Sequence, residues 1–416
     1  MLRVAVLSVH TCPLAALGGW ETGGMNVYVR ELSRGLGRLG VETDIFTRRQ
    51  DPSLPDVVDV DEHTRVIHID AGPPRRLDKY AVVDYLSEFA CNVQRYRNFV
   101  GARYDLIHSH YWLSGRLAGL FKEHWDVPVV AMFHTLGDLK NRVALDAAES
   151  EQQIRVDIER RTMATADRII AATKTDREHM LTNYGADPRR ISIVPGGVDL
   201  ELFRPGSREA ARRTLGLGPE RTLLFVGRIQ RLKGIDVLIR AAHQLGDSVG
   251  PLRVLLVGGA GSGASEEARE LLRLRALVDE LGLRDTVRFV GAVDQARLPL
   301  YYRAADVTVM PSTYESFGLV AVESLACGTP VVASRVGGLA TIVRDRENGM
   351  LIPWRDPRLF ADQIQAILSD DALAADLREG ALATAARYGW SAVAERTREI
   401  YDGVVRQPAR RASTAD

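Results

Sequence analysis

Cysteine is scarce in this chain. Cys12, Cys91 and Cys327 stand far apart and are odd in number, which argues against a disulfide framework or a cysteine zinc site and fits a reducing compartment. Neither sign of charge is in excess: Lys plus Arg and Asp plus Glu each number 54. The sequence therefore gives no electrostatic reason to expect nucleic acid or an anionic membrane as a partner. Long apolar runs are missing too. The stretch from Met1 to Ser8 is too short for a secretory leader, and no later stretch reaches transmembrane length. The expectation is a soluble, cytoplasmic protein with no membrane span. No G-x-G-x-x-G is present where it would matter, which disfavours a nicotinamide dinucleotide fold. His108 and His110 alternate along a strand, yet no third ligand follows at a convincing spacing. They read as packing or hydrogen-bonding residues, and no metal is expected.

What is present is a globular composition, 46% hydrophobic and 26% charged over 416 residues. That length exceeds what one hydrophobic core usually supports, so two domains are expected. Strand patterns alternate with helical ones, as in parallel sheets covered on both faces. The first half offers 3–9, 41–47, 66–69, 106–110, 129–133, 168–172 and 191–194; the second offers 222–226, 253–257, 287–290, 307–310 and 330–334. Each set can build its own doubly wound, Rossmann-like sheet, giving an α/β protein. The turn Pro195-Gly196-Gly197-Val198-Asp199 and the following Phe203-Arg204-Pro205-Gly206 break the periodicity. The boundary is placed near residue 200, with 1–200 before it and 201–390 after it. The polar, aperiodic tail 406–416 is expected to be disordered.

Two similar sheets facing each other imply a ligand in the crevice at the carboxyl ends of their strands, and the motifs cluster at such ends. Val307 to Pro311 reads as a strand, and Leu319 to Cys327 as an apolar helix. Between them, Ser312-Thr313-Tyr314-Glu315-Ser316-Phe317-Gly318 leads into the helix start, with Glu315 before it and Glu323 within it. Unpaired amides in a first helical turn bind a diphosphate, and a carboxylate accepts from a vicinal diol. Taken alone, the same residues also fit a capped surface helix with two solvated glutamates. Upstream, Gly23 and Gly24 close a glycine-rich loop at a helix start, where backbone can approach a phosphate closely. Gly227-Arg228 ends a strand and Lys233-Gly234 precedes a helix, so a planar fork and a mobile point charge converge on one end of the sheet. The plainer alternative is a solvated basic loop with Arg231 as a third member. Val257 to Gly263 reads as a turn, and Trp112 and Trp354 as packing residues.

Together, Gly23-Gly24-Met25-Asn26, Gly227-Arg228 with Lys233-Gly234, Glu315-Ser316-Phe317-Gly318 with Glu323, and Gly328 to Ala333 resemble the retaining glycosyltransferases of family 4, which have the two-domain GT-B fold. The resemblance covers nearly the whole chain. Within that family, His108 to Gly115 and His134-Thr135-Leu136 look most like the enzymes that glycosylate inositol 3-phosphate in mycothiol synthesis, with sucrose-phosphate synthases as relatives.

The resemblance implies roles residue by residue. Arg228 and Lys233 match the pyrophosphate-binding pair, Glu323 the carboxylate on the ribose, and Glu315 the one beside the transferred sugar. The backbone of Ser316, Phe317, Gly318 and Leu319 lines that sugar. His134 lies near it, and the loop with Gly23, Gly24 and Asn26 closes over donor and acceptor. Lys79, Tyr111, Thr135 and Arg155 match a grip on an acceptor phosphate; the alternative is that Lys79 and Arg155 are surface charges paired with Asp78 and Glu151. A last helix, 391–405, crosses back onto the first domain near Trp390. The partners are a nucleotide sugar and a small polar acceptor, with a homodimer left open. No tightly bound cofactor and no divalent metal is implied.

No carboxylate stands out as the nucleophile of a double displacement. A front-face substitution is implied instead, in which the departing diphosphate takes the acceptor's proton while Arg228, Lys233 and the helix start absorb charge. The leading pair is UDP-N-acetylglucosamine with inositol phosphate. UDP-glucose with fructose 6-phosphate or fructose is the alternative, as is a non-catalytic sugar-binding protein on the same scaffold. An epimerase or phosphorylase of similar shape is a further reading, to be separated by its products.

Overall fold

The computed structural model describes residues 1–15, 23–144, 150–259, 266–353 and 355–406. Trp354, the tail 407–416 and the glycines at 261 and 263 lie outside them. The chain forms two compact units. One gathers Met1–Leu14, Met25–Pro195 and the helical residues from Ser391 onward; the other gathers 196–390 together with Gly23 and Gly24.

In the first unit, β1 (Leu2–Leu7), β2 (Val41–Arg48), β3 (Val57–Asp59), β4 (Thr64–Ile69), β5 (Leu106–His110), β6 (Val129–Met132), β7 (Arg168–Ala171) and β8 (Ile191–Ile193) form one sheet in the order β3-β4-β2-β1-β5-β6-β7-β8. Every neighbouring pair is parallel except the edge pair β3–β4. The central strands read as continuous apolar runs because helices cover both faces; Val4 to Leu7 and Val129 to Met132 are buried throughout. The order reverses direction at β1–β5, and β5 and β6 end in His110 and Met132.

The second unit repeats the scheme. Here β9 (Arg221–Val226), β10 (Leu252–Val257), β11 (Val287–Gly291), β12 (Val307–Met310), β13 (Val331–Ser334) and β14 (Gly349–Ile352) lie in the order β11-β10-β9-β12-β13-β14, with all pairs parallel. Its core packs Leu223, Phe225, Ile235, Leu238, Val309 and Val332.

Two strands were not legible beforehand. β3 is three residues long and half exposed, inside an Asp- and Pro-bearing segment, so only pairing to β4 defines it. β14 opens on Gly349 after Asn348, a turn-like start; register with β13 and burial of Met350 to Ile352 make it a strand.

The helix Trp390–Val405 belongs to the first unit over most of its length. Val393, Ala394, Thr397, Tyr401 and Val404 are buried at helical spacing. Tyr401 Oη lies 2.6 Å from His108 Nδ1, and Arg398 donates to the Leu39 carbonyl. Trp390 itself groups with the second unit, pressed close to Gly197. No helix among the described residues is long and apolar enough to cross a membrane.

Candidate active site

In the second unit the strand ends gather the charged residues. The segment after β12 runs from Pro311 to Gly318 and opens the helix Leu319–Ala326. Gly318 has φ 101°, where an L side chain is strained, and no side chain among the described residues caps the helix start. Its first turn holds no acidic residue, so the amide field there is open to an anion. After β9, Lys233 closes a short 3-10 turn and is followed by Gly234 at φ 66°. A Cβ at residue 234 would fall 2.1 Å from the Pro311 carbonyl oxygen, so only glycine lets the two loops meet. The Thr313 amide donates to the Leu232 carbonyl and locks them together.

That junction places Lys233 Nζ 2.6 Å from Glu315 Oε2. Arg228 is over a third exposed, with Glu267 at 3.8 Å, and Gly23 lies beside its guanidinium. Gly24 lies against Leu319. Ser316 is half-buried, whereas Phe317 is buried and packs near Tyr388. Glu323 is buried inside the helix and accepts from Tyr302 Oη at 2.7 Å. Burial pushes its carboxyl up to about 7, and the tyrosine hydrogen bond only partly offsets this.

In the first unit three imidazoles line up at the ends of β5 and β6. His110 Nδ1 lies 2.9 Å from His134 Nε2, and His108 lies against His110 at 4.1 Å between ring centres, the rings tilted by 42°. Burial drives all three down, His108 and His134 to about 3, so they are neutral across the physiological range. His134 and Tyr111 both hold positive φ, 60° and 76°. Such strain on bulky residues costs on the order of 1–3 kcal/mol each and concentrates at functional sites. Asn26 is buried, and its amide donates to Thr11 Oγ1 and the Cys12 carbonyl. No group of three or more His, Cys, Asp or Glu that could hold a metal occurs among the described residues.

The four residues matched to an acceptor phosphate come together. Arg155, fully buried, reaches Tyr111 Oη at 3.0 Å and Thr135 Oγ1 at 2.9 Å. Its Nε donates to Glu159 at 2.8 Å, whose carboxylate also receives Tyr184 Oη and the Gly137 amide. Lys79 Nζ and Arg155 Nη1 meet on one carboxylate, Glu151, at 2.7 and 2.9 Å. Lys140 and Tyr80 Oη complete its shell. Burial opposes the Glu151 charge, but Arg155, Lys140 and Lys79 together hold its carboxyl well below the usual range. Arg155 is thus no surface charge, and Lys79 pairs with Glu151 rather than Asp78. Tyr80, Lys140, Glu151, Glu159 and Tyr302 were not singled out as site residues from the sequence. The i, i+4 spacing of Glu151, Arg155 and Glu159 on or just before one helix was the available signal; Tyr80, Lys140 and Tyr302 arrive only through tertiary packing.

Two family models match this chain: Glycosyltransferase Family 4 over residues 22–202 and Glycosyl transferases group 1 over residues 207–383. The D-inositol 3-phosphate glycosyltransferase 2 of Catenulispora acidiphila is 47% identical over 406 residues, spanning 96% of this chain and 94% of that one. The D-inositol 3-phosphate glycosyltransferase of Xylanimonas cellulosilytica is 45% identical and spans 98% of both. Among solved structures, sucrose-phosphate synthase from Thermosynechococcus elongatus superposes with a TM-score of 0.90 at 36% identity, over 97% of this chain and 99% of that one. HepE of Anabaena, solved in complex with UDP, gives 0.74 at 20% identity, covering 97% and 100%. The chain belongs to the group 1 and family 4 glycosyltransferases, with their GT-B-like pair of parallel-sheet α/β domains. It is a glycosyltransferase.

Proposed function

We propose that the protein moves a hexose from a UDP-sugar to a hydroxyl of a phosphorylated inositol, with retention of anomeric configuration. The observation that carries the acceptor reading is the convergence of Lys79, Arg155, Tyr111 and Thr135 within hydrogen-bond reach of one another or of one shared anion. Two cations and two hydroxyls suit a dianion, because charge-assisted hydrogen bonds are the strong ones. The full-length similarity to proteins named for D-inositol 3-phosphate supports inositol as the ring, and N-acetylglucosamine is the hexose we assign. The solved complex of HepE with UDP supports the nucleotide.

In this reading Arg228, Lys233 and the amides at the start of the helix Leu319–Ala326 bind the diphosphate and absorb the charge it gains on leaving. Glu323 accepts from the ribose hydroxyls and Glu315 from the transferred sugar. His134, neutral and held at positive φ, offers the sugar a hydrogen bond rather than a charge. The Gly23-Gly24 loop is assigned to the donor, and Asn26 to donor and acceptor. With no carboxylate assigned as nucleophile, the acceptor hydroxyl attacks on the face the diphosphate leaves, and the leaving oxygen takes its proton. No divalent metal is required.

A second reading, UDP-glucose with fructose 6-phosphate, is favoured by the likeness to sucrose-phosphate synthase. Incubation with each donor and acceptor pair, in EDTA and in Mg²⁺, with product masses and anomeric coupling constants measured, separates the readings. Efficient use of free inositol and free fructose, equal to that of their phosphates, would remove the phosphate site.

A further inference from the structure

Glu151 occupies the position a phosphate dianion would want. Its side chain is 2% exposed, and its two oxygens are shared by Lys79, Lys140, Arg155 and Tyr80 Oη. Against Glu151 and the second carboxylate on Arg155, Glu159, the three cations leave one positive charge over. The other carboxylate of the cluster, Glu159, is taken up by Arg155 Nε, Tyr184 Oη and the Gly137 amide. Arg155 Nη2 is likewise fixed on Thr135. The donors still pointing at a displaceable group are therefore the ones on Glu151. Its main chain is pinned: the Glu151 amide donates to Asn141 Oδ1, the Asn141 side-chain Nδ2 donates to the Glu151 carbonyl, and the Gln152 amide donates to Tyr80 Oη. Only the carboxylate arm can leave while the backbone stays.

We propose that Glu151 is a built-in counter-ion of the acceptor site, which holds Lys79, Lys140 and Arg155 together when the site is free and is displaced by rotation of its side chain when a phosphorylated acceptor binds. This rests on the phosphate-acceptor reading above. The chemistry follows from charge. A carboxylate left among the same donors as a phosphate would be a like charge at contact distance, whereas a dianion together with Glu159 balances the three cations, which Glu151 together with Glu159 does not. The exchange sets a threshold: an unphosphorylated polyol brings no charge to trade for Glu151 and leaves the carboxylate in place. Glu151 is a specificity-determining residue that acts through the cations, not a group that touches the reacting atoms.

The test compares inorganic phosphate and inositol phosphate binding by calorimetry to the wild-type chain and to Glu151→Gln, which keeps shape and removes charge. Glu151→Gln should bind both ligands about tenfold more tightly, and its KM for the phosphorylated acceptor should fall while KM for the donor stays. Weaker or unchanged phosphate binding by Glu151→Gln would overturn the proposal, because it would make Glu151 an organiser of the cations. Failure of the wild-type chain to bind either phosphate would instead overturn the acceptor reading, and this proposal with it. Should Glu151→Gln not fold, Tyr80→Phe removes one of the donors that hold the carboxylate while sparing every cation; it also removes the acceptor of the Gln152 amide, so an unchanged circular dichroism spectrum is required before its binding is read. It should tighten phosphate binding by about twofold, and unchanged or weaker binding would overturn the proposal equally.

Discussion

Lys233 Nζ and Glu315 Oε2 form an ion pair of 2.6 Å that joins the loop after β9 to the loop after β12. Cation and carboxylate lie 82 positions apart in the chain, and both are mostly shielded from water. The loop contact at Gly234 and Pro311 creates the pair. The two side chains are thereby oriented by the fold itself, and under the proposed function a diphosphate and sugar would meet a preorganised pair, the arrangement by which electrostatic stabilisation avoids reorganisation at the moment of reaction.

Replacing Lys233 or Arg228 by Ala should lower turnover at saturating donor by at least ~10²-fold, by analogy with losing one preorganised charge-stabilising donor. Steady-state kinetics of the two variants decide this; near-normal kcat in both would remove them from the leaving-group site.

Glu323 gives a prediction in pH. Its carboxyl stands at about 7 in the folded protein against a usual 4.5, so burial favours the protonated form. The sign follows: the native state is favoured fully below pH 4.5, and that advantage is lost as pH rises through about 7. Glu323→Gln, which cannot ionise, should match the wild type near pH 4.5 and exceed it by up to about 3 kcal/mol at pH 8, read from denaturant midpoints. Donor binding should run the other way. A UDP-sugar has no proton to exchange in this range, and the ribose diol needs an acceptor, so wild-type affinity should weaken as pH falls from 8 to 6. Glu323→Gln should bind more weakly than wild type at pH 8 and show no such slope. A flat wild-type profile would take Glu323 off the ribose.

The histidine cluster predicts an absence of titration. His108 and His134 stand at about 3 and His110 well below its usual value, so kcat at saturating substrates should show no histidine inflection between pH 5 and 8. An inflection near 6.5 that disappears in His134→Asn would contradict the neutral assignment.

Arg155 carries the stability of its surroundings. It is fully buried between Glu151 and Glu159, and truncating one partner of a buried pair leaves uncompensated charge. Arg155→Met should lose about 3–5 kcal/mol, measured by chemical denaturation, whereas Lys79→Met, whose partner keeps Lys140 and Arg155, should lose much less while still raising acceptor KM. Equal losses in the two variants would contradict this ranking.

Much of the architecture was legible because its cause is local. Buried parallel strands such as Val129–Met132 and Val307–Met310 announce themselves as apolar runs between helical patterns. The sharp turns at Gly234 and Gly318 leave glycine as their mark. The stretch from Ser312 to Glu323 could be read as a strand running into a helix start for the same reason, since the elements and the residues between them are contiguous. β3 escaped because a three-residue edge strand has no pattern of its own, and β14 because its glycine start looks like a turn.

By itself the sequence determined two doubly wound sheets, the loops at their strand ends and the residue types needed to bind a nucleotide sugar. The tertiary structure alone decided which charges meet. Lys79 and Glu151 are 72 residues apart and His108 and Tyr401 are 293 apart. No periodicity connects such positions; the sheet order and the return of the helix Trp390–Val405 do. Burial is also a property of the packed chain, and it is the main cause that keeps the histidines neutral and lifts Glu323, while packing brings three cations to Glu151. The reason is physical: hydrophobic period is written residue by residue, whereas desolvation and Coulomb energy depend on what the rest of the chain brings within a few ångströms.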